Sequence, residues 1–337
     1  MKKHISLMAS ALFLLFFSFV SFFFLVSGSE AAVYRKSSSV MGTALDVTLL
    51  AASEEEANRA FYAVELEMKR LESVMSEWLE SSPVSEVNRA AGKKPVKVPQ
   101  ELFSVIAAAL QVSEISGGAF DVTWASMRVL WDFRPGHERA PTLEEVRVKL
   151  GLVDYRDVAL DAAASTVFLK RAGMAIGLGG IAKGYAVDKA MEAVIKTGVT
   201  DAIVKAGGDI RVQGRSENGL AWEVGIQDPR DPSRLMAKLR LSNASISTSG
   251  DYERFFIKDG HLYHHIIDPK TGFPARGARS VTVIGPDTMT TDALSTAVFV
   301  LGPRKGMELV EKLPGVEAII VDSDGAVTSS GGVELGR

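Results

Sequence analysis

The chain has 337 residues, of which 47% are hydrophobic and 23% are charged, a balance that supplies a core and excludes wholesale disorder or a fibrous repeat. Its formal net charge is -3, from 38 Lys and Arg against 41 Asp and Glu, so no basic field favours nucleic acid as a partner. The lack of cysteine excludes disulfides, thiolate catalysis, iron–sulfur clusters, cysteine-ligated zinc and an acylated lipoprotein cysteine.

The N-terminus has the pattern of a secretory signal peptide. Two lysines precede an uncharged, Phe-rich run over residues 5–26, and small residues follow it, which predicts cleavage near Ala31. The run is also long enough to span a bilayer of about 30 Å, so an uncleaved membrane anchor is the alternative. We expect residues 1–31 to direct export and residues 32–337 to form the working domain in the periplasm, either soluble or anchored on the outer side of the inner membrane.

Helix signals are concentrated in the N-terminal third of the mature chain. A Ser-x-x-Glu capping box followed by apolar residues three or four apart predicts a helix from residue 53 that continues towards residue 78. Further helices are predicted over residues 100–115 and 142–151, and glycines mark the C-terminal end of each. Residues 81–99 are predicted to be a loop.

Strand-like runs dominate from residue 166 onward. Turn pairs such as Asp259-Gly260 and Asp324-Gly325 separate them, and helices are predicted at residues 181–196 and 291–301. This order predicts an α+β fold in which N-terminal helices pack with a mostly antiparallel sheet.

Five segments have a composition that packing alone does not explain. In the first, Gly177, Gly179 and Gly180 precede a helix, where bare backbone N–H groups and the helix dipole attract phosphate. Lys183 adds a positive charge. The segment also matches the dinucleotide-binding pattern, although a tight turn is the structural alternative.

The next two segments could be functional or structural. A Gly-Gly pair at residues 207–208 indicates a bulge or a close approach of the backbone to a ligand, and Asp209 after it is either a ligand group or a turn former. The hydroxyl-rich residues 245–256 could line a polar site or form a turn that enters a strand.

The last two segments contain histidines and a carboxylate. His264 and His265 point to opposite faces of a predicted strand, so they cannot share one zinc ion, and we expect His265 at the mouth of a site. Asp292 and Thr296 lie four residues apart on one helix face, and their oxygens suit Mg²⁺. The alternative is that Asp292 interacts with the helix dipole and Thr296 with a backbone carbonyl.

Together these features suit chemistry on a nucleotide pyrophosphate. In this order, the segments resemble the ApbE family of FAD:protein FMN transferases over roughly residues 40–327. The resemblance rests on seven short motifs: Met41-Gly42-Thr43, Gly118-Ala119-Phe120-Asp121-Val122-Thr123, the run from Gly179 to Asp188, Ala206-Gly207-Gly208-Asp209, Ser247-Thr248-Ser249-Gly250-Asp251-Tyr252, His265-Ile266-Ile267-Asp268-Pro269 with Thr271-Gly272, and Thr291-Asp292-Ala293-Leu294-Ser295-Thr296.

The resemblance implies an ApbE-like fold and an enzyme that transfers FMN from FAD to a Ser or Thr hydroxyl of an acceptor protein, releasing AMP. It implies Mg²⁺ held by the Ala182 carbonyl, Asp292 and Thr296, with Asp292 and His265 as catalytic residues. His265 is expected to take the hydroxyl proton or to steady the leaving phosphate. The residues expected to enclose FAD are Met41, Trp78, Ala119, Phe120, Asp121, Lys183, Asp188, Gly208 and Ile266.

The acceptors implied by the resemblance are exported subunits of membrane redox complexes. Two alternatives use the same site: a magnesium-dependent FAD pyrophosphatase that yields FMN and AMP, and a flavin-binding protein without turnover. A third, an NAD(P)-dependent oxidoreductase, would need a strand–helix–strand unit with an acidic residue ending its second strand.

Overall fold

A hairpin of two long strands begins the part of the chain that the computed structural model describes, residues 31–333. Strand β1 (Ala32–Val40) pairs with β2 (Thr43–Ala51) through a two-residue turn in which Met41 and Gly42 both have positive φ, 51° and 70°, the conformation that matches the twist of paired strands. The prediction of helices for this third of the chain did not include this hairpin.

The expected signal peptide lies outside the described residues. Within residues 31–333, no helix combines the length and the apolarity that crossing a bilayer requires.

Helix α1 (Glu54–Met75) begins at the predicted cap. The Ser53 side chain accepts from the Glu56 N–H at 3.2 Å, and the Glu56 carboxylate accepts from the Ala52 N–H at 2.8 Å, which satisfies donors at the helix start. The predicted apolar stripe is buried as far as Met75. Trp78 lies beyond the end of the helix.

A short helix replaces the loop expected over residues 81–99. Helix α2 (Pro83–Arg89) begins where the Ser82 hydroxyl accepts from the Ser85 N–H at 3.0 Å and proline occupies the first helical position. Proline is favoured there because its fixed φ suits the first turn. The expectation of a loop is therefore wrong for residues 83–89, and the segment ends in a short strand, β3 (Val96–Lys97).

The next two predicted helices are confirmed. Helix α3 covers Gln100–Ile115 and α4 covers Leu143–Leu150, the second with a complete capping box between Thr142 and Glu145. A 3₁₀ helix, Val122–Leu130, lies between them and a second, Tyr155–Asp157, follows. Strands β4 (Val158–Asp161) and β5 (Thr166–Leu169) pair with each other, and β5 also pairs with β3.

The remaining part alternates strands with two long helices. Its elements, in chain order, are α5 (Ala182–Lys196), β6 (Ala202–Ala206), β7 (Asp209–Gln213), β8 (Trp222–Gln227), β9 (Leu235–Leu241), β10 (Ala244–Gly250), β11 (Phe255–Lys258), β12 (His261–His264), β13 (Ala278–Gly285), α6 (Thr288–Val310), β14 (Glu317–Asp322) and β15 (Val327–Ser329). Helix α6 is longer than predicted because it continues past a break at Gly302, where φ is 75° and proline follows.

The central sheet has eight strands in the order β1-β2-β6-β7-β10-β13-β14-β15, and each neighbouring pair is antiparallel. The mostly antiparallel α+β architecture predicted from the sequence is confirmed. A dinucleotide-binding unit needs parallel strands joined by a helix, so the NAD(P)-dependent alternative lacks its structural basis in this sheet.

Helices α1, α5 and α6 pack together on one face of the central sheet. The β8–β9 hairpin covers the other face, where Trp222, Val224 and Ile226 pack against Ile246 and Ile319 of the sheet. Because both faces are covered, β13 and β14 are buried over nearly continuous runs of residues. The N-terminus of α5 thereby lies against the first half of α6.

Candidate active site

Helix α5 begins in a glycine-rich turn without a side-chain cap of its own. Ile181 stands at the cap position and makes no capping hydrogen bond from its side chain. A Cβ added at Gly180 would lie 3.2 Å from both Phe120 Cε2 and Thr296 Oγ1, so only glycine lets these groups approach so closely. The expectation of a bare N–H is wrong for Gly177, because its N–H donates to the Val122 carbonyl at 2.9 Å.

Lys183, in the first turn of α5, is surrounded by oxygens. Its Nζ lies 3.1 Å from Asp209 Oδ2, 3.8 Å from Asp292 Oδ2 and 3.1 Å from the Gly179 carbonyl oxygen. Burial lowers the pKa of Lys183, but the two carboxylates outweigh it and raise the pKa above its usual value. The lysine is therefore a fixed positive charge at the start of the helix.

Asp292 comes from α6 and acts as the cap that α5 lacks. Its Oδ2 accepts from the Gly184 N–H at 3.0 Å, and the residue is only 4% exposed. Burial and the neighbouring charge of Asp209 raise the pKa of Asp292 to about 7, although Lys183 opposes the shift. At neutral pH this carboxyl therefore exchanges readily between its protonated and ionised forms.

Hydroxyl groups of β10 and α6 face each other in a row that ends at the glycine turn. Side chains of β10 at every second position meet side chains of α6 at the following pairs and distances: Ser245–Thr288 at 2.9 Å, Ser247–Thr291 at 2.9 Å and Ser249–Ser295 at 2.8 Å. Ser249 Oγ also lies 3.4 Å from Thr296 Oγ1. The hydroxyl-rich segment is thus a strand whose polar face packs on a helix, and only its end reaches the candidate site.

The Gly207-Gly208 pair forms the turn between β6 and β7. A Cβ at Gly208 would lie 2.5 Å from the Thr248 carbonyl oxygen, so glycine is required here by neighbouring backbone, and a close approach to a ligand stays a prediction. The bulge interpretation is wrong because the two strands pair in continuous register on either side of the turn. Asp209 begins β7 and is thereby held beside Lys183.

His265 follows β12 at the edge of this cluster. Its backbone N–H donates to the Arg254 carbonyl at 3.0 Å, and its Nδ1 lies 3.3 Å from the same oxygen. Burial, Arg254 and His264 lower the pKa of His265 to about 4, so the ring is neutral at neutral pH. The Arg254 guanidinium also donates to the Gly42 carbonyl at 3.2 Å, which joins the β1–β2 turn to the histidine.

The adjacent His264 has a structural role. It is 4% exposed, its Nε2 lies 2.9 Å from the Ala275 carbonyl oxygen, and its ring meets Phe299 edge-on. Burial lowers the pKa of His264. The two adjacent histidines therefore have different environments, as the predicted strand geometry indicates.

Trp78 lies in the loop between α1 and α2 and is 72% exposed. The guanidinium carbon of Arg128 lies 4.4 Å from its ring centroid. A large aromatic side chain that stays open to solvent can stack on a flat ligand.

Two of the acidic residues expected at FAD already have partners in the protein. Asp121 caps the first 3₁₀ helix and accepts from the Thr123 and Tyr155 N–H groups at 2.8 and 2.9 Å. Asp188 accepts from the N–H groups of Thr288 and Met289 at the start of α6. Burial raises the pKa of each carboxyl. Both side chains therefore position site elements, and contact with FAD stays a prediction.

The remaining residues expected at FAD surround the same region. Phe120 is buried and its ring lies beside Gly180, while Ala119 and Ile266 are also buried. Met41 is half-buried in the β1–β2 turn, in contact with the main core. These side chains can supply an apolar wall rather than polar contacts.

Three residues that contribute to the site are not among the site residues predicted from the sequence. Asp209 was visible as an acidic residue after a glycine pair, but its pairing with Lys183 depends on the fold. Arg254 carried no sequence signal beyond its place in the hydroxyl-rich segment. Glu77, next to Trp78, has a side chain only 7% exposed, and a single acidic residue near a helix end gave no indication of burial.

Comparison with known proteins identifies the family of the chain and agrees with its fold. The ApbE family model matches residues 41–320. An FAD:protein FMN transferase of Treponema pallidum is 35% identical over 324 residues, covering 91% of this chain and 90% of that protein. Another, of Klebsiella pneumoniae, is 32% identical over 295 residues, covering 87% and 90%.

Solved structures give the same result. The ApbE protein of Thermotoga maritima superimposes with a TM-score of 0.82 at 35% identity, over 89% of this chain and 97% of that one. The flavinyl transferase ApbE of Pseudomonas stutzeri superimposes with a TM-score of 0.78 at 29% identity, over 89% and 95%. The architecture is that of these two structures. The chain belongs to the ApbE family.

Proposed function

We propose that this chain is an FAD:protein FMN transferase, which uses Mg²⁺ to transfer FMN from FAD to a Ser or Thr hydroxyl of an acceptor protein. Membership of the ApbE family and the names of the relatives support the activity. The acceptor gains a phosphoester and AMP leaves.

One observation carries the proposal. The Asp292 carboxylate meets the Gly184 N–H in the first turn of α5, and four residues further along α6 Thr296 Oγ1 lies against Gly180. Two stretches of chain more than 100 residues apart thus bring a carboxylate, a hydroxyl, a lysine and a helix N-terminus to one place. Phosphate groups and a hard cation both suit such a combination.

The residues present fit a magnesium ion. Asp292 and Thr296 supply side-chain oxygens, and the carbonyl of Ala182 belongs to the helix turn that Asp292 caps. Among residues 31–333, no three His, Cys, Asp or Glu side chains gather into a metal site, so a mixed set of carbonyl, carboxylate and hydroxyl oxygens is the set available. Mg²⁺ accepts a few such ligands together with water and phosphate. When bound, it would act as a Lewis acid on the pyrophosphate.

His265 suits the role of proton acceptor. A carbonyl oxygen can only accept, so the contact with the Arg254 carbonyl places the ring proton on Nδ1 and leaves the Nε2 lone pair available. The acceptor hydroxyl oxygen forms a bond to the FMN phosphorus, the bond from that phosphorus to the AMP phosphate oxygen breaks, and the hydroxyl proton passes to Nε2. Lys183 offsets negative charge on the phosphates while Asp209 holds it in place.

We place the flavin half of FAD beside Trp78, Phe120, Ile266 and Met41, and the pyrophosphate beside Lys183 and the start of α5. Ala119, Asp121, Asp188 and Gly208 complete the proposed enclosure through backbone or through the elements they hold. The exposed face of Trp78 and the buried apolar side chains near Gly180 support this division.

We also propose that the protein is exported, through residues 1–31, and acts on exported subunits of membrane redox complexes in the periplasm. The basic and apolar pattern of the N-terminus supports export. Residues 5–26 could associate the chain with the membrane if they are not removed.

The experiment combines the purified mature protein, FAD, Mg²⁺ and an exported flavoprotein subunit as candidate acceptor. Intact-protein mass spectrometry should detect one FMN phosphoester on the acceptor, and chromatography should detect an equal amount of AMP. Omitting Mg²⁺ with a chelator, or using Asp292→Ala, should abolish both products. AMP release with no adduct on any acceptor would instead indicate FAD hydrolysis. The absence of both products would contradict catalysis.

A further inference from the structure

The indole ring of Trp78 is held by an arginine from another part of the chain. Helix α1 ends at Met75, and the Trp78 N–H donates only to the nearby Ser76 hydroxyl, at 3.3 Å, among the hydrogen bonds of the described residues. The guanidinium of Arg128, from the first 3₁₀ helix, lies over the ring at 4.4 Å. A cation at this distance from an indole face is attracted to it, so Arg128 restrains a side chain that the local backbone leaves free.

Arg128 is itself held by a buried carboxylate. Its Nη1 lies 3.5 Å from Glu77 Oε1, and the two side chains are 24% and 7% exposed. Burial raises the pKa of Glu77, and Arg128 opposes that shift. Nη1 is buried and has no hydrogen-bond partner within residues 31–333. Because desolvation of both charges offsets much of their attraction, such a pair adds little net stability, and its effect here is to hold the guanidinium in place over the Trp78 ring.

Glu77 also contacts the segment that leads into the glycine turn. Its Oε2 lies 3.4 Å from the Leu178 N–H nitrogen, and a Cβ at Gly177 would lie 3.1 Å from its Oε1. The side chain therefore contacts both Arg128 and the backbone of Gly177 and Leu178, the two residues before Gly179. One buried carboxylate thus links the Trp78 ring to the turn that begins α5.

We propose that Arg128 is a positioning residue for the flavin substrate: held by Glu77, it fixes the Trp78 ring as the platform for the isoalloxazine, at a set distance from the pyrophosphate at the start of α5. This inference rests on the proposed function, because it places the flavin ring on Trp78. It adds a specificity for the ring half of the substrate, since a ligand that lacks the isoalloxazine gains nothing from the platform.

The test compares FAD with ADP, which contains the phosphates and adenosine but no flavin ring. Dissociation constants are measured for the wild type, Trp78→Ala, Arg128→Gln and the double variant, by flavin fluorescence for FAD and by calorimetry for ADP. Arg128→Gln should weaken FAD binding about three- to tenfold, because FAD must then order the Trp78 ring that the cation–aromatic contact orders in the wild type, and leave ADP binding unchanged. The double variant should bind FAD no more weakly than Trp78→Ala, because the arginine acts through the tryptophan.

Arg134→Gln, which removes an exposed arginine paired with Asp132, is the matched control and should bind both ligands as the wild type does. An equal loss of FAD and ADP affinity in Arg128→Gln would indicate a merely structural role and overturn the inference, as would unchanged FAD affinity or losses that add in the double variant. Arg128→Lys keeps the charge without the planar group and should restore part of the affinity. A wild type that binds FAD without transferring FMN would contradict the proposed function and leave this result intact.

Discussion

Asp292 illustrates at a single residue how function and stability oppose each other. Its pKa of about 7 lies above the value near 4 of an exposed Asp. Between about pH 4 and 7, the folded state therefore keeps a proton that the unfolded state has released. Stability without a bound cation therefore falls as the pH rises from about 4 to 7. Above pH 7 the ionised, buried carboxylate lowers the free energy of unfolding.

Asp292→Asn should therefore leave the metal-free protein at least as stable as the wild type at pH 8, and up to about 2 kcal/mol more stable, because the amide oxygen can still accept from Gly184 without a buried charge. The same variant should lose FMN transfer by about 100-fold or more, since the charged cation ligand is gone. Urea unfolding and acceptor mass spectrometry measure the two effects. A variant that is markedly less stable and still active would contradict this account of the carboxylate.

The depressed pKa of His265 makes a separate prediction. With a folded pKa of about 4 against an ordinary value near 6.5, the unfolded chain takes up a proton between these values and the folded chain does not. Wild-type stability should therefore fall as the pH decreases from 7 to 5, relative to His265→Gln, by on the order of 1–2 kcal/mol. Urea unfolding without FAD or Mg²⁺ at the two pH values tests this. A constant difference between the two proteins would mean that the histidine titrates normally.

Among the elements, the crossing of α5 and α6 sets the geometry of the site. A Cβ at Gly184 would overlap the Thr288 carbonyl oxygen and lie 2.7 Å from Asp292 Cβ. Gly184→Ala should therefore force the helices apart and destabilise the protein by about 1–3 kcal/mol, the usual range for overpacking. Gly151→Ala, at the end of α4 and outside the site, is the matched control, because its backbone is helical and the space around it is open to 4 Å.

Thermal unfolding should separate the two variants by several degrees, with Gly184→Ala also losing FAD-dependent AMP release. Equal melting temperatures would show that the helices can adjust, and that their close contact does not fix Asp292.

Elements with local signals were predictable from the sequence, and elements without them were not. The capping boxes gave the starts of α1 and α4, and glycines gave the ends of α3 and α4, to within about a residue, because these signals act within one turn. The β1–β2 hairpin was not predicted because its turn residues, Met41 and Gly42, only partly match the usual hairpin pairs. Helix α2 was not predicted because its seven residues offer one cap and little periodicity.

The residues of the site were likewise predictable only where a local sequence signal marks them. Asp292 and Thr296 could be singled out because their residue types and spacing have a chemical meaning within one helix, and Lys183 because it follows a glycine-rich helix start. Their contacts could not: the pairing of Asp209 with Lys183, the position of Arg254 beside His265 and the Glu77–Arg128 pair depend on how separate elements meet. Such contacts follow from sheet order and helix packing, which a single sequence pattern does not specify.

At the scale of the whole molecule, export is the prediction that the described residues leave untested. Expressed in a bacterium, the chain should be recovered from the periplasm with a mass that corresponds to cleavage near Ala31, and deletion of residues 5–26 should retain it in the cytoplasm. A full-length protein in the membrane fraction would identify an uncleaved anchor, and a full-length protein in the cytoplasm would contradict export.

The central claim is that α5 and α6 together form one site for a cation and a pyrophosphate. Anomalous diffraction from crystals grown with FAD and Mn²⁺, which replaces Mg²⁺ with a scatterer that can be located, tests it most directly. We predict a single strong peak about 2.0–2.3 Å from an Asp292 carboxylate oxygen, with Thr296 and the Ala182 carbonyl as its other protein ligands. A peak bound to other residues, in a protein that still transfers FMN, would contradict the account.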